Sequence, residues 1–323
     1  MSPRARVAAA TAAAAALAAT LVVVVAALQT ERHEPLPVEA TAPRAGRPPL
    51  ALDLGVRTDR EAQDLRRGLA LYEEGRLPQA GSLFARHASL EARVGKAMAS
   101  WPEGTVDRLT GLAGLHPQSA VVQLHLGLAL FWARRPGADD AWRAALEAEP
   151  DTPYAVTAGN LLFPGFARGL PRFVPGMSLP RALERLDAAA RYEELQRRAG
   201  AGDRLGTLYY GVALQRLGRQ RSAARVLGAY AAAHPGDVEA QVAAAVARFD
   251  KNRPVEAFSR LGPLSRRFPR AATVRFHLGL LLLWSGELVE ARRQLRLART
   301  VEPGSPLARE AERYLAALRR AER

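Results

Sequence analysis

A chain of 323 residues with 48% apolar and 24% charged side chains can bury a core, and its length allows roughly two domains' worth of structure. It has no cysteine, which excludes disulfides, thiolate metal ligands, cysteine nucleophiles and thioether lipid attachment. The net charge of +14 rests almost wholly on arginine, since Lys96 and Lys251 are the only lysines; it admits an anionic partner, but the codon bias of a GC-rich genome explains it more simply, together with the abundant alanine.

Arg4 and Arg6 precede an uncharged run from Val7 to Leu28, long enough at about 1.5 Å per residue to cross a hydrocarbon layer of about 30 Å. A single-pass membrane anchor is therefore expected over residues 1–29. A cleaved signal peptide is the rival reading, because Val25-Ala26-Ala27 offers small residues to a signal peptidase. The run is longer than the roughly 7 to 15 residues of a signal core, which favours the anchor. Arg4, Arg6 and the amino terminus outweigh Arg32, whereas Arg44 and Arg47 weaken the asymmetry, so the charge leans towards a body outside the cytoplasm. Residues 30–57 follow as a linker whose repeated prolines favour an extended spacer between anchor and body.

The body keeps a period. Pro235, Pro269 and Pro303 stand 34 residues apart, and Gly211, Ala245 and Gly279, then Ala223, Ala257 and Ala291, then Leu227, Leu261 and Leu295, keep the same step. The period predicts pairs of antiparallel helices. The small residue of the first helix admits a close neighbour, Ala223 and Leu227 of the second pack onto it, and the proline ends the unit. LGRQ at Leu217–Gln220 and SGEL at Ser285–Leu288 supply a glycine at the inter-helix turn, where a left-handed residue is needed.

The unit VRFHLGLLLLWSGELVEARRQLRLARTVEP resembles the tetratricopeptide repeat family, with Leu278-Gly279, Leu282, Gly286, Ala291, Leu295, Ala298 and Pro303 on the family's small and large positions. LRRGLALYEEGRLPQAGSLFARH keeps Gly68, Gly75, Ala80 and Phe84. LHLGLALFWARRPGADDAWRAALEAEP keeps Gly127, Ala138, Trp142, Ala145 and Pro150. ARVGKAMASWPEGTVDRLTGLAGLHP between them looks like a shortened unit. The resemblance covers most of Arg60 to Gly304 and implies an all-α solenoid of about six to seven helix pairs in a membrane-anchored bacterial protein. Its divisions would be N-terminal units over residues 58–151, an enlarged unit over 152–203, three units over 204–305 and a capping helix over 306–323.

LFPGFARGLPRFVPG, from Leu162 to Gly176, falls inside the enlarged unit, between a helix that follows Pro150 and a second over SLPRALERLDAAARYEELQRRAG with Ser178 as its cap. Helix connections usually run about 2 to 8 residues, so a loop of this length is functional or a packed plug. No Asp or Glu occurs between Asp151 and Glu184, and Phe163, Phe166 and Phe173 are too apolar for a solvated loop. The loop must cover something. It is a lid folded into the concave face, a partner-binding element through Phe163, Phe166, Arg168, Arg172 and Phe173, or a membrane-touching loop.

In the tetratricopeptide family the first helices line a concave groove that holds a peptide or a partner helix. The resemblance carries that role to Leu124, Leu128, Phe131, Trp132, Val212, Phe249, Phe276, Leu280 and Trp284. Their apolar character suits an apolar peptide or amphipathic helix rather than a clamp for a terminal carboxylate. The competing reading is that they face a neighbouring helix or the loop above.

Arg219, Arg221, Arg225, Arg292, Arg293, Arg296 and Arg299 fall on second helices, among glutamates and away from the aromatics, as a solvated face rather than a nucleic-acid stripe. His125 and His277 precede a Leu-Gly and His116 and His234 a closing proline, which reads as repetition of one structural position near a helix end. No catalytic, phosphate-binding or metal-ligand motif occurs. The expectation is a non-enzymatic scaffold or adaptor without cofactor, with a protein partner and no nucleic acid. The alternative is a non-catalytic assembly factor for an envelope enzyme or secretion complex.

Overall fold

The computed structural model describes residues 44–321. The anchor expected over residues 1–29 and the first part of the Pro-rich linker lie outside the described residues. Among the described residues there are sixteen α-helices and no strand. The first seven are α1 (Arg60–Glu73), α2 (Leu77–Phe84), α3 (Leu90–Met98), α4 (Thr105–Leu115), α5 (Ala120–Trp132), α6 (Ala138–Ala148) and α7 (Pro153–Leu162). Beyond a long extended connector come α8 (Arg181–Glu184), α9 (Ala188–Gly200), α10 (Arg204–Arg216), α11 (Gln220–Ala233), α12 (Val238–Val246), α13 (Val255–Arg267), α14 (Ala272–Trp284), α15 (Leu288–Val301) and α16 (Pro306–Ala321).

Six helix pairs form as the period implies: α1 with α2, α3 with α4, α5 with α6, α10 with α11, α12 with α13, and α14 with α15. Close approach at the small residue makes the pairings of α5 with α6 and of α10 with α11 tight. A Cβ on Gly127 would lie 2.4 Å from the Trp142 ring, and one on Gly211 would lie 2.6 Å from Leu227. Gly218 and Gly286 hold φ of 72° and 82° in the turns between paired helices, the conformation that L side chains avoid. The helix α16 closes the series, burying Leu307, Ala311 and Leu315 against Phe276, Leu280 and Leu295.

The enlarged unit differs from expectation. The helix proposed to run on from Ser178 breaks after Glu184, and Asp187 starts α9 by accepting the N–H of Ala190 at 2.9 Å. Aspartate is a better cap than a helix interior residue, so the break falls there. The two flanking helices do not pair: α7 packs on α5 and α6, whereas α9 packs on α10. Residues 163–180 therefore link two sets of helix pairs instead of closing one hairpin. Each set has its own core, the first around Leu65, Tyr72, Phe84, Met98, Leu109 and Leu124, the second around Leu208, Val242, Phe249 and Leu261. Among the described residues no helix is long and apolar enough to cross a membrane.

Candidate functional site

Two stretches of non-helical chain lie against the helices, one in each set, each bent at a glycine of positive φ, Gly46 at 86° and Gly169 at 75°, before it runs on in extended form. The first is residues 44–54, the described part of the linker read as a spacer. It is not free: Leu50 and Leu54 are buried in the first core with Leu65, Tyr72 and Leu124. Its backbone is held mainly by side chains. The Ala51 N–H donates to His125 Nε2 at 3.1 Å, and the Asp53 N–H to the Tyr154 hydroxyl at 2.6 Å. The Tyr72 hydroxyl and Trp101 Nε1 donate to the carbonyls of Pro48 and Gly46 at 2.7 and 3.1 Å. Where the stretch starts, the Arg44 N–H bonds the Trp132 carbonyl at 3.2 Å and its guanidinium lies 3.5 Å over the Phe131 ring.

The second stretch is the connector. Phe173 is buried in the second core with Val212 and Phe249. The Phe173 N–H donates to Gln215 Oε1 at 2.9 Å, the Val174 N–H to His277 Nε2 at 2.9 Å, and the Gly176 N–H to Glu239 Oε1. Tyr209 donates its hydroxyl proton to the Met177 carbonyl at 2.6 Å. Where the connector leaves α7, the Ala167 N–H bonds the Trp284 carbonyl at 3.3 Å. The buried Lys251 Nζ reaches the Ala167 carbonyl at 2.7 Å and Asn160 Oδ1 at 2.6 Å, and Asn160 also takes the Gly169 N–H. Burial pulls this ammonium down to about 8, so it still carries its proton at neutral pH.

An extended strand laid against helices has no neighbouring strand to satisfy its peptide groups. Those groups must be met by side chains or water, because an unpaired buried N–H costs about 1–3 kcal/mol. His125 and His277 meet that demand in one way. Nδ1 of each faces a backbone carbonyl four residues back, that of Val121 at 2.6 Å and of Thr273 at 2.7 Å. Nδ1 must therefore donate, and Nε2 is left as the acceptor, which only the neutral imidazole provides. Burial holds both histidines down to about 4, in keeping with that role.

Most groove positions expected from the sequence lie beneath these stretches or between helices. Leu124, Leu128, Val212, Phe249, Phe276 and Leu280 are buried, and Phe131, Trp132 and Trp284 are half-buried. In the loop, Phe173 is 1% exposed, Phe163 and Phe166 are half-buried in an edge-on chain of rings that ends on Phe249, and Arg168 and Arg172 are exposed. Residues 44–54 and the connector thus cover much of this apolar surface.

The histidines are the residues that the sequence reading misassigned. His116 and His234 do stand at the ends of α4 and α11, but His125 and His277 lie inside α5 and α14 and bind extended chain. The available signal was the match of VVQLHLGLALFW with TVRFHLGLLLLW, in which a lone histidine recurs inside an apolar helix. Glu239 and Lys251 gave no such signal, since each acts only once the connector is in place. Among the described residues no group of three His, Cys, Asp or Glu could hold a metal ion.

No family model matches the chain, and no curated protein matches it. Among solved structures, the crystal structure of the yeast Tom70 aligns over 80% of this chain and 48% of that chain, at 14% identity and a TM-score of 0.32. This chain thus spans about half the length of that one, and at such a TM-score the fold rests on the helix pairs described above.

Proposed function

We propose that the protein is a non-catalytic scaffold of helix pairs whose grooves bind extended polypeptide, held at a membrane by residues 1–29. One observation carries the reading: His125, Tyr154, Gln215 and His277 accept peptide N–H groups of non-helical chain laid against both sets of pairs. Such binding recognises backbone plus a few apolar side chains, which is how a groove accepts a partner segment. The uncharged run from Val7 to Leu28 supports the anchor, and the arginines ahead of it support a body outside the cytoplasm.

The test is retention of protein partners by the full chain, purified in detergent, from solubilised native membranes. Binding through buried apolar and backbone contacts should persist as salt rises from about 0.1 to 1 M, because such contacts are little screened. Retention that collapses over that range would mean that the arginine-rich surface, and not the grooves, captures its partners. No retention at any salt would remove the scaffold reading.

A further inference from the structure

The two extended stretches are read by one geometry used twice. Trp132 and Trp284 end equivalent helices, and each accepts at its carbonyl an N–H from the start of a stretch, from Arg44 and from Ala167. Seven residues along, Ala51 and Val174 give their N–H groups to His125 and His277 of the same helices. Two residues further, Asp53 and Gly176 give theirs to Tyr154 and Glu239. The residue before the histidine-bonded one, Leu50 or Phe173, is buried in the core. Two positions before that stands proline in both, Pro48 and Pro171. Proline is tolerated because none of these three N–H groups falls at its position, and it stiffens the chain in the extended form that the groove takes.

The stretches differ in how their anchor seats are closed. Residues 163–180 run between α7 and α8 and carry bonds from Lys251, Gln215 and Tyr209. Residues 44–54 lead into α1 through residues 55–59 and carry bonds from Tyr72, Trp101 and Arg219. Their anchor is less enclosed, Leu50 being 9% exposed against 1% for Phe173.

We propose that the groove over α5 is an exchangeable site for an extended segment of a partner protein, and that residues 44–54 are the resident occupant which that segment displaces. The partner segment has the pattern common to both residents: proline, any residue, a large apolar residue, then a small or β-branched apolar residue with a free N–H. A basic residue at the start adds the contact that Arg44 makes with Phe131. This rests on the scaffold reading and names the partner's chemistry.

The probe is the synthetic peptide RAGRPPLALDLG, residues 44–55, titrated into the full chain and into full-chain Leu50→Asp, which unseats the resident and leaves the groove residues unchanged. Removing the competitor raises the fraction of open sites, so the variant should bind the peptide at least about tenfold more tightly than the wild type. A peptide N-methylated at Ala51, which loses the N–H given to His125, should bind the variant at least about tenfold more weakly than the parent peptide. Equal affinities in either comparison overturn the proposal. Should Leu50→Asp fail to fold, amide exchange in the wild type decides. The Ala51 and Asp53 amides should exchange at least about tenfold faster than those of Val174 and Gly176, and equal protection overturns the proposal. If exchange fails while the chain still retains salt-resistant partners, the scaffold reading stands alone; if both fail, neither stands.

Discussion

The Phe173 ring lies flat against the imidazole of His277, with centroids 4.9 Å apart and planes 18° apart, while the next residue along gives its N–H to Nε2 of that same imidazole. One side chain thus meets both the apolar and the polar demand of the extended connector. Because the bond to Nε2 needs a neutral ring, the stability of this protein is tied to pH.

Each histidine is held at about 4 in the folded chain, against about 6.5 when exposed by unfolding. Between those values the unfolded chain binds protons that the folded chain does not. The stabilisation is therefore fully present above about pH 6.5 and is lost as pH falls towards 4, with a slope approaching one proton for each of the two rings. Urea midpoints measured across that interval check this. A flat profile from about pH 6.5 to 4 would mean that the rings do not make these bonds.

Gly127→Ala places a methyl group against Trp142 and 2.9 Å from the Ala138 carbonyl, and should destabilise by about 1–3 kcal/mol. Gly228→Ala, inside α11 where the added carbon meets nothing within 4 Å, should be neutral or stabilise by up to about 1 kcal/mol. Thermal melts of the two variants side by side give the contrast. Equal shifts would show that close approach does not set the pairing.

Phe173→Ala empties a seat in the second core and should cost about 3–5 kcal/mol, whereas the exposed Arg172→Ala should stay within about 0.5 kcal/mol. Chemical denaturation separates them. Similar losses at both positions would mean that the connector is displaced by a residue from the register described.

Lys251→Met keeps the aliphatic bulk and removes both bonds of the ammonium, leaving the Ala167 carbonyl without that donor. The expected cost is about 1–3 kcal/mol, with faster exchange of the Gly169 amide, whose acceptor Asn160 loses its second partner. An unchanged exchange rate would show that Lys251 does not hold the start of the connector.

The helix pairs were legible because one constraint repeats: Gly211, Ala245 and Gly279 recur every 34 residues as each pair needs the same close approach. The fate of residues 44–54 was not legible, because repeated proline reads alike whether the chain is solvated or laid in a groove. Pro48-Pro49-Leu50 shows its difference from a spacer only through Tyr72 and His125, which stand 24 and 74 residues downstream of their partners. The seat of Phe173 was half legible. Its apolar neighbours in a stretch without acidic residues demanded cover, but the identity of that cover, Val212 and Phe249, is a matter of tertiary packing.

Those separations also set an order of events. The bonds from Ala51 to His125 and from Val174 to His277 span 74 and 103 residues, whereas the two helices of each pair are neighbours in sequence. Local hairpins form before long loops close, so the pairs assemble first and the extended stretches dock last. A ribosome synthesising this chain exposes residues 44–54 well before α5 exists to receive them. Prolines and arginines keep that waiting stretch from pairing as β-structure with its neighbours, so the residues that suit it to the groove also protect it before the groove is made.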